Sequence, residues 1–484
     1  MACHVSSIVL INPGVNYDRN LGLSRRFAVK VAPLGLAYMA AILEKRGEKV
    51  SVIDQFAEGA ENEDVLRRLK RSDAEVVGFN LLTASATRTK QICLRLRETM
   101  PSTRVVLGNI HASIFHKKIL QEGWADAVVH GEGEYILPRV IDAFRGGEGL
   151  DEVPAVSFRS DGQIQTTPRT AQIQDLDELP FPAWHLYDLK HYKTRTILTY
   201  GKMTLPLISS RGCPWRCEFC SQNHFWEKVV MRAPVQVAEE MLWVHERFGC
   251  GHFTFHDANF PVTKKYGMQL CEAVHGIGLA GKISFVTEAR MEVFDEELIL
   301  VLKGAGCRAL MFGIESGSED VRNTFHKTFK NQRIREVIQF CRKHSIDTMG
   351  LFLVGLPGET REDFQKTIDL ACSLPLDLAK FNVVVPYPGS RLFEKCLDSE
   401  KMKDEDFDRI ATFYSDGLSA LTVNEHMSME EIGRLQKKAL LSFFLRLGVI
   451  INLLFSKVLS PGDIAVGGVA LLKSVFFGLI KTRS

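Results

Sequence analysis

The chain has almost no net charge to use. Sixty Lys and Arg residues stand against 58 Asp and Glu, leaving +2 over 484 residues. So even a charge balance makes no long-range field that would gather nucleic acid. A disulfide framework is missing too, because the eleven cysteines are odd in number and mostly scattered, which suits a reducing compartment. The opening MACHVSSIVLINPG lacks a basic region followed by a long apolar core. It reads as a short buried strand, not a signal peptide, and a cytoplasmic setting is expected. Repeats and low-complexity tracts are absent. What remains is ordinary globular composition on a chain several times longer than one compact domain needs, so two or three domains are expected.

Residues 1–145 alternate apolar strands with amphipathic helices: SSIVLINP, then PLGLAYMAAILEKRG closed by Gly47, then KVSVIDQF, AEVVGFNLL and TRVVLGN. This pattern predicts a doubly wound parallel sheet of five strands. Ligands of such sheets lie at the carboxyl ends of the strands, where Asp54, Thr83, Gly108, His111 and Gly131 fall. Residues 146–195 carry few regular signals. DELPFPAWHLYDL within them suggests an ordered extended strap. A second αβ series over 196–425 offers six strands separated by long helical stretches. Six such units predict a partial (β/α)6 barrel whose active face is again the carboxyl ends of its strands. Residues 426–484 form a C-terminal helical segment that opens on a Ser-x-x-Glu capping box at Ser428 and turns strongly apolar.

The most specific signal is RGCPWRCEFCSQNH, which places Cys213, Cys217 and Cys220 within eight positions. It falls just after the first strand of the second series. A [4Fe–4S] cluster has four irons, normally each bound by a cysteine. Three protein thiolates leave one iron open to an outside ligand with an amine and a carboxylate, such as the methionine moiety of S-adenosylmethionine (SAM). The alternative is zinc, with His224 completing a Cys3His set.

These residues and several landmarks in order resemble radical SAM enzymes with an N-terminal cobalamin-binding domain. The landmarks are PLGLAYMAAILEKRG, HGEGE (130–134), LPFPAWHLYD (179–188), FHDANF (255–260), GIESGSED (313–320), GLPGET (355–360) and PYPGS (386–390). The likeness runs over almost 400 residues. It implies that Cys213, Cys217 and Cys220 hold the cluster and that Phe219 meets the adenine of SAM. It implies further that Glu315 accepts from the SAM ribose, that Asp257 and Asn259 lie near the amino group, and that Arg290 pairs with the carboxylate. A helix cap is the alternative for Glu315, and a neighbouring acid the alternative partner of Arg290. In the first domain the resemblance implies a cobalamin site around Asp54, Gly59, Thr83, Gly108, His111, Gly131 and Glu132. The corrinoid motif Asp-x-His-x-x-Gly reads DQFAEG here, with Phe56 in the histidine position. Phenylalanine has no lone pair, so cobalamin is expected without histidine ligation from this motif.

The resemblance implies methylation of an unactivated carbon or phosphorus centre, with a radical cyclisation or rearrangement as the alternative. From a different class, a zinc-stabilised corrinoid carrier is the non-radical alternative. Implied partners are a small-molecule substrate, with a lipid-like one as one reading, and an electron donor such as flavodoxin or ferredoxin; nucleic acid is not expected. Residues 439–480, apolar but interrupted by Arg446, Lys457 and Lys473, suggest peripheral contact with the inner membrane surface. Arg446 is expected at the polar margin of that face.

Overall fold

The computed structural model describes residues 7–15, 30–169, 172–194, 196, 198–399 and 423–455. They divide into two compact units. One contains Lys30–Tyr192 and His224–Val230; the other contains Lys193–Asn223 and the described residues from Met231 onward.

The first unit is built on a seven-stranded sheet in the order β2-β1-β3-β4-β5-β6-β7. Five strands are parallel: β1 (Ser7–Asn12), β2 (Lys49–Asp54), β3 (Ala74–Asn80), β4 (Arg104–Gly108) and β5 (Ala127–Val129). Helices such as Leu34–Lys45 and Ala86–Thr99 cover them, and the central strands are buried on both faces, which explains their unbroken apolar runs. The strap reading needs correction here. Residues 156–166 form an antiparallel hairpin, β6 (Val156–Ser160) and β7 (Gln163–Thr166), which extends the sheet. Its turn is Asp161–Gly162, both at positive φ. The Asp-Gly pair is a strong hairpin signal, but the flanking strands are short and polar on one side, so the apolar periodicity was too weak to reveal them. Part of the DELPFPAWHLYDL stretch packs closely. Trp184 is fully buried, and Ala183 N–H donates to Ala37 O.

The second unit holds six parallel strands in the order β15-β14-β13-β12-β11-β8: β8 (Thr204–Leu207), β11 (His252–Phe255), β12 (Ser284–Ala289), β13 (Cys307–Glu315), β14 (Asp347–Val354) and β15 (Leu378–Val383). Two-residue strands β9 (Ser210–Arg211) and β10 (Val230–Met231) lie outside this sheet. The expected (β/α)6 arrangement is therefore present. Strand register sorts the side chains. Phe253, Phe255 and Phe285 lie on the face packed with Phe260. Thr254, Val286, Glu288, Met311 and Lys380 alternate with that set and share the concave face.

The tail begins as expected. Ser428 accepts from Glu431 N–H while Glu431 accepts from Ser428 N–H, capping the helix Met429–Phe444. That helix buries Ile432, Ala439 and Phe443, and Gln436 donates to Phe381 O on β15 at 2.7 Å. Arg446 does not sit at a polar margin. It turns inward, donates to the carbonyls of Cys372 and Leu374, and lies 4.3 Å over the Phe443 ring. The carbonyls ending the helix Arg361–Ser373 offer its guanidinium more than water does. Leu445, Leu447 and Ile451 point outward. Among the described residues, no helix is long and apolar enough to cross a membrane. Most of the 439–480 stretch lies outside the described residues.

Candidate functional site

The cysteine loop starts where β8 ends. Ser209 and Ser210 follow it, and both are clamped by Asp257 at the end of β11. The Asp257 carboxylate accepts from Ser209 N–H (3.0 and 3.1 Å), Ser209 Oγ (2.7 Å) and Ser210 Oγ (2.6 Å). Burial pushes the Asp257 carboxyl up while these donors pull it down. Asp257 thus orders the approach to the thiols. Asn259 is buried, with Nδ2 on Pro261 O at 3.3 Å and Oδ1 without a hydrogen-bond partner.

Cys217 is buried and Cys213 and Cys220 are half-buried, all as free thiols. Burial, with Cys217 nearby, raises Cys213; burial, with Cys217 and Cys213 nearby, raises Cys220 to about 11. Three thiolates crowded in a dry loop call for compensating positive charge, which a cluster's irons would provide. The protein adds two cations. Arg290 Nη1 is 3.4 Å from Cys217 Sγ, and Lys327 lowers Cys213 and Cys220 electrostatically. The loop is braced from behind, because Leu392 N–H donates to Glu218 O and Lys395 pairs with the Glu218 carboxylate. Phe219 packs against Phe325, ring centres 5.8 Å apart. These residues fit an anionic cluster.

Glu315 stands at the end of β13, beyond a register shift, with φ at +65°. A non-glycine residue there is strained. Lys327 holds it: its ammonium reaches Glu315 Oε1 at 2.6 Å and Gly313 O at 2.9 Å while itself buried. The sequence reading missed Lys327, which lies twelve residues away in a stretch with no motif. It missed Glu292 and Trp215 as well, the partners that occupy Arg290. Arg290 Nε sits 3.1 Å from Glu292 Oε1, and its guanidinium lies 4.1 Å over the Trp215 ring. The acidic partner of Arg290 is therefore Glu292. The concave face adds His256 and Glu288. His256 reaches solvent, bonds Thr254 Oγ1 at 3.1 Å, and is lowered to about 4 by the surrounding walls. Glu288 reaches solvent on this face, yet the surrounding walls raise its carboxyl against the pull of Lys380 and Lys327.

In the first unit the carboxyl ends of four adjacent strands are stitched by one polar chain. Asn109 Nδ2 donates to Asn80 Oδ1 (2.6 Å), Asn80 Nδ2 to Asn12 Oδ1 (3.3 Å), and Asn12 Nδ2 to Asp54 Oδ1 (2.9 Å). Tyr192, from the strap, closes the chain on Asp54 Oδ2 at 2.6 Å. Burial raises the Asp54 carboxyl against these donors. The three asparagines were not foreseen, because only the fold brings them together. Thr83 Oγ1 meets His111 Nδ1 at 3.2 Å, and burial lowers the imidazole to about 3, keeping it neutral. Glu132 accepts from Ile173 N–H and so fastens the strap. Gly59 and Gly131 have positive φ, and a Cβ added at either would meet nothing within 4 Å; at Gly108 it would meet only Val129 O at 4.0 Å. Open ground above a polar floor fits a broad ligand with many hydrogen-bonding groups. Phe56 sits in the turn Gln55–Glu58 beside it.

His224, the fourth ligand of the zinc alternative, falls in a different unit from the three thiols. It belongs to the first unit, where Arg169 Nη2 approaches its Nε2 at 3.4 Å. Among the described residues, no group of three or more His, Cys, Asp or Glu side chains is placed to hold a single metal ion.

A three-thiol loop at the mouth of a six-stranded partial barrel, preceded by a doubly wound sheet with an open polar edge, defines a cluster-bearing α/β enzyme with a cofactor-binding unit in front. The profile described as the radical SAM superfamily matches residues 207–371 and the B12 binding domain matches 22–141. The chain belongs to the radical SAM superfamily, in the group that carries a B12-binding domain. It is 29% identical over 425 residues to an uncharacterised methyltransferase of Pyrococcus horikoshii, covering 87% of this chain and 90% of that one. It is also 29% identical over 442 residues to the cytidylyl-2-hydroxyethylphosphonate methyltransferase of Streptomyces wedmorensis, covering 81% of each. Its fold is similar to that of the radical SAM methyltransferase TsrM from Kitasatospora setae with cobalamin and a [4Fe–4S] cluster bound, with a TM-score of 0.68, 16% identity, and 94% and 89% of the two chains covered. A [4Fe–4S] cluster, SAM and cobalamin are the cofactors of this group.

Proposed function

We propose that this chain is a cobalamin-dependent radical SAM methyltransferase acting on an unactivated carbon or phosphorus centre of a small molecule. The carrying observation is the joint presence of the three-thiol barrel loop and the B12-binding sheet on one chain. When bound, the cluster with SAM supplies one-electron cleavage of a carbon–sulfur bond to a 5′-deoxyadenosyl radical, and the corrinoid supplies the methyl group. The chain's own residues do the rest. Cys213, Cys217 and Cys220 bind the cluster. Lys327 holds Glu315 in place for the SAM ribose, and Phe219 offers a ring edge to the adenine. Asp257 fixes the loop, with Asn259 beside it. Asp54, Gly59, Thr83, Gly108, His111, Gly131 and Glu132 shape the cobalamin site, without histidine ligation at Phe56. His256, Glu288 and Lys380 give the barrel's concave face a polar lining, which suits a substrate with a polar handle.

Three further readings belong to the proposal. A flavodoxin or ferredoxin supplies the electron, the enzyme works in the cytoplasm, and the tail touches the inner membrane surface through an apolar face that includes Leu445, Leu447 and Ile451. The exposure of those three side chains supports the last reading.

The test is anaerobic purification with cobalamin supplied, then iron, sulfide and SAM-product analysis. Labile sulfide with iron, and 5′-deoxyadenosine formed in step with S-adenosylhomocysteine, is the expected result. Deoxyadenosine alone would replace methyl transfer by a radical cyclisation or rearrangement. Zinc without sulfide would leave a corrinoid carrier.

A further inference from the structure

We infer that Arg290 is a positioning residue that sets the reduction potential of the cluster through Cys217, and that Glu292 tempers it. This rests on the cluster reading above. Two sides of the guanidinium are engaged. Its Nε and Nη2 face the Glu292 carboxylate, with Nε at 3.1 and 3.3 Å from the two oxygens, and Nη1 points at Cys217 Sγ at 3.4 Å. Its flat face lies 4.1 Å from the centre of the Trp215 ring. Arg290 is 6% exposed, and Cys217 is the most buried of the three thiols. The arrangement is thus an aimed donor: Glu292 and Trp215 fix the plane of the fork, and an Nη1 N–H reaches one sulfur.

A hydrogen bond and a positive charge at a cluster sulfur favour the reduced state, which carries one more negative charge. A carboxylate on the far side of the same guanidinium opposes it. The potential therefore reflects the difference between two opposed charges, and removing either one moves it in a known direction. A residue that held the SAM carboxylate would behave otherwise. Glu292 fills the Nε/Nη2 edge, so a bidentate grip on SAM would have to use Nη1 and Nη2 at the expense of the Cys217 contact; in that arrangement losing Arg290 would weaken SAM binding and leave the potential alone.

The experiment uses the full chain with reconstituted cluster: wild type, R290Q, R290K and E292Q. Midpoint potentials come from redox titration followed by electron paramagnetic resonance, and SAM affinity from equilibrium binding. R290Q lowers the potential, E292Q raises it, and R290K falls between wild type and R290Q because charge is kept and the aimed fork is lost. SAM affinity in E292Q stays at the wild-type value. Shifts of the same sign in R290Q and E292Q, or no shift in either, overturn the inference. So does an unchanged potential in R290Q together with weakened SAM binding, which assigns Arg290 to the SAM carboxylate. Should R290Q fail to hold a cluster, the sign in E292Q decides alone. Wild type without labile sulfide overturns the radical SAM reading itself, and this inference with it.

Discussion

Cys217 is the thiol with the least freedom: buried, faced by Arg290, and followed by Glu218, which Leu392 and Lys395 brace. Cys217→Ala leaves two thiolates, which hold a cluster poorly. Its brown absorption and its SAM cleavage are both expected to disappear, as iron, sulfide and deoxyadenosine assays would show. Lys327 is a gentler case. A non-glycine residue held at φ +65° costs about 1–3 kcal/mol, and the two Lys327 hydrogen bonds offset that at Glu315. Lys327→Met should retain iron and sulfide but bind SAM more weakly, which equilibrium binding checks. Glu359 carries a pH signature. Burial raises it to about 8 although Gly355 and Leu356 donate to it. A carboxyl raised in the folded state stabilises while protonated, so its contribution is whole below the unfolded value of 4.5 and is lost as pH climbs through about 8. Within that window the loss approaches about 1.4 kcal/mol per pH unit. Glu359→Gln should therefore melt like wild type near pH 5 and above it near pH 9. At this scale the cysteines were legible because their spacing is local. Glu292, Lys327 and the Asn12–Asn80–Asn109 chain were not, because each partner arrives through the fold; Asn12 and Asn80 are 68 positions apart.

Among the elements, long and strongly patterned ones were legible and short ones were not. The barrel strands and the helix after Ser428 follow from apolar runs and a capping box. The β6–β7 hairpin has only an Asp-Gly turn to announce it, and Gln163–Thr166 is mostly exposed. The tail shows why composition alone misleads. Its apolar residues divide between two jobs: Phe443 is fully buried, whereas Leu447 is 73% exposed. Phe443→Ala should cost about 3–5 kcal/mol in urea unfolding. Leu447→Glu should leave stability unchanged within about 0.5 kcal/mol. If the outward face meets lipid, the second variant also loses vesicle binding in a flotation assay.

For the whole molecule, each unit has its own core, and ligands that bind only the folded form raise the stability of the unit that holds them. Withholding cobalamin during expression is expected to lower hydrogen-exchange protection in β1 to β5, and Cys217→Ala to lower it in β8 and β11 to β15. The sequence showed two αβ series and a strap between them. It did not show that the chain leaves the second unit after Asn223 and returns to it at Met231.

That excursion makes the gene less modular than its two profiles suggest. His224 meets Arg169, and Lys228 meets Gln172 and Gln174, so residues just beyond the cluster loop are fitted to the end of the corrinoid half. A chimera joined at Tyr192, pairing the front of one relative with the back of this chain, inherits mismatched contacts at the positions of Arg169, Gln172 and Gln174. A functional graft has to carry 224–230 along with the front half, which ties the inheritance of the two cofactors together in a way that a single crossover cannot undo.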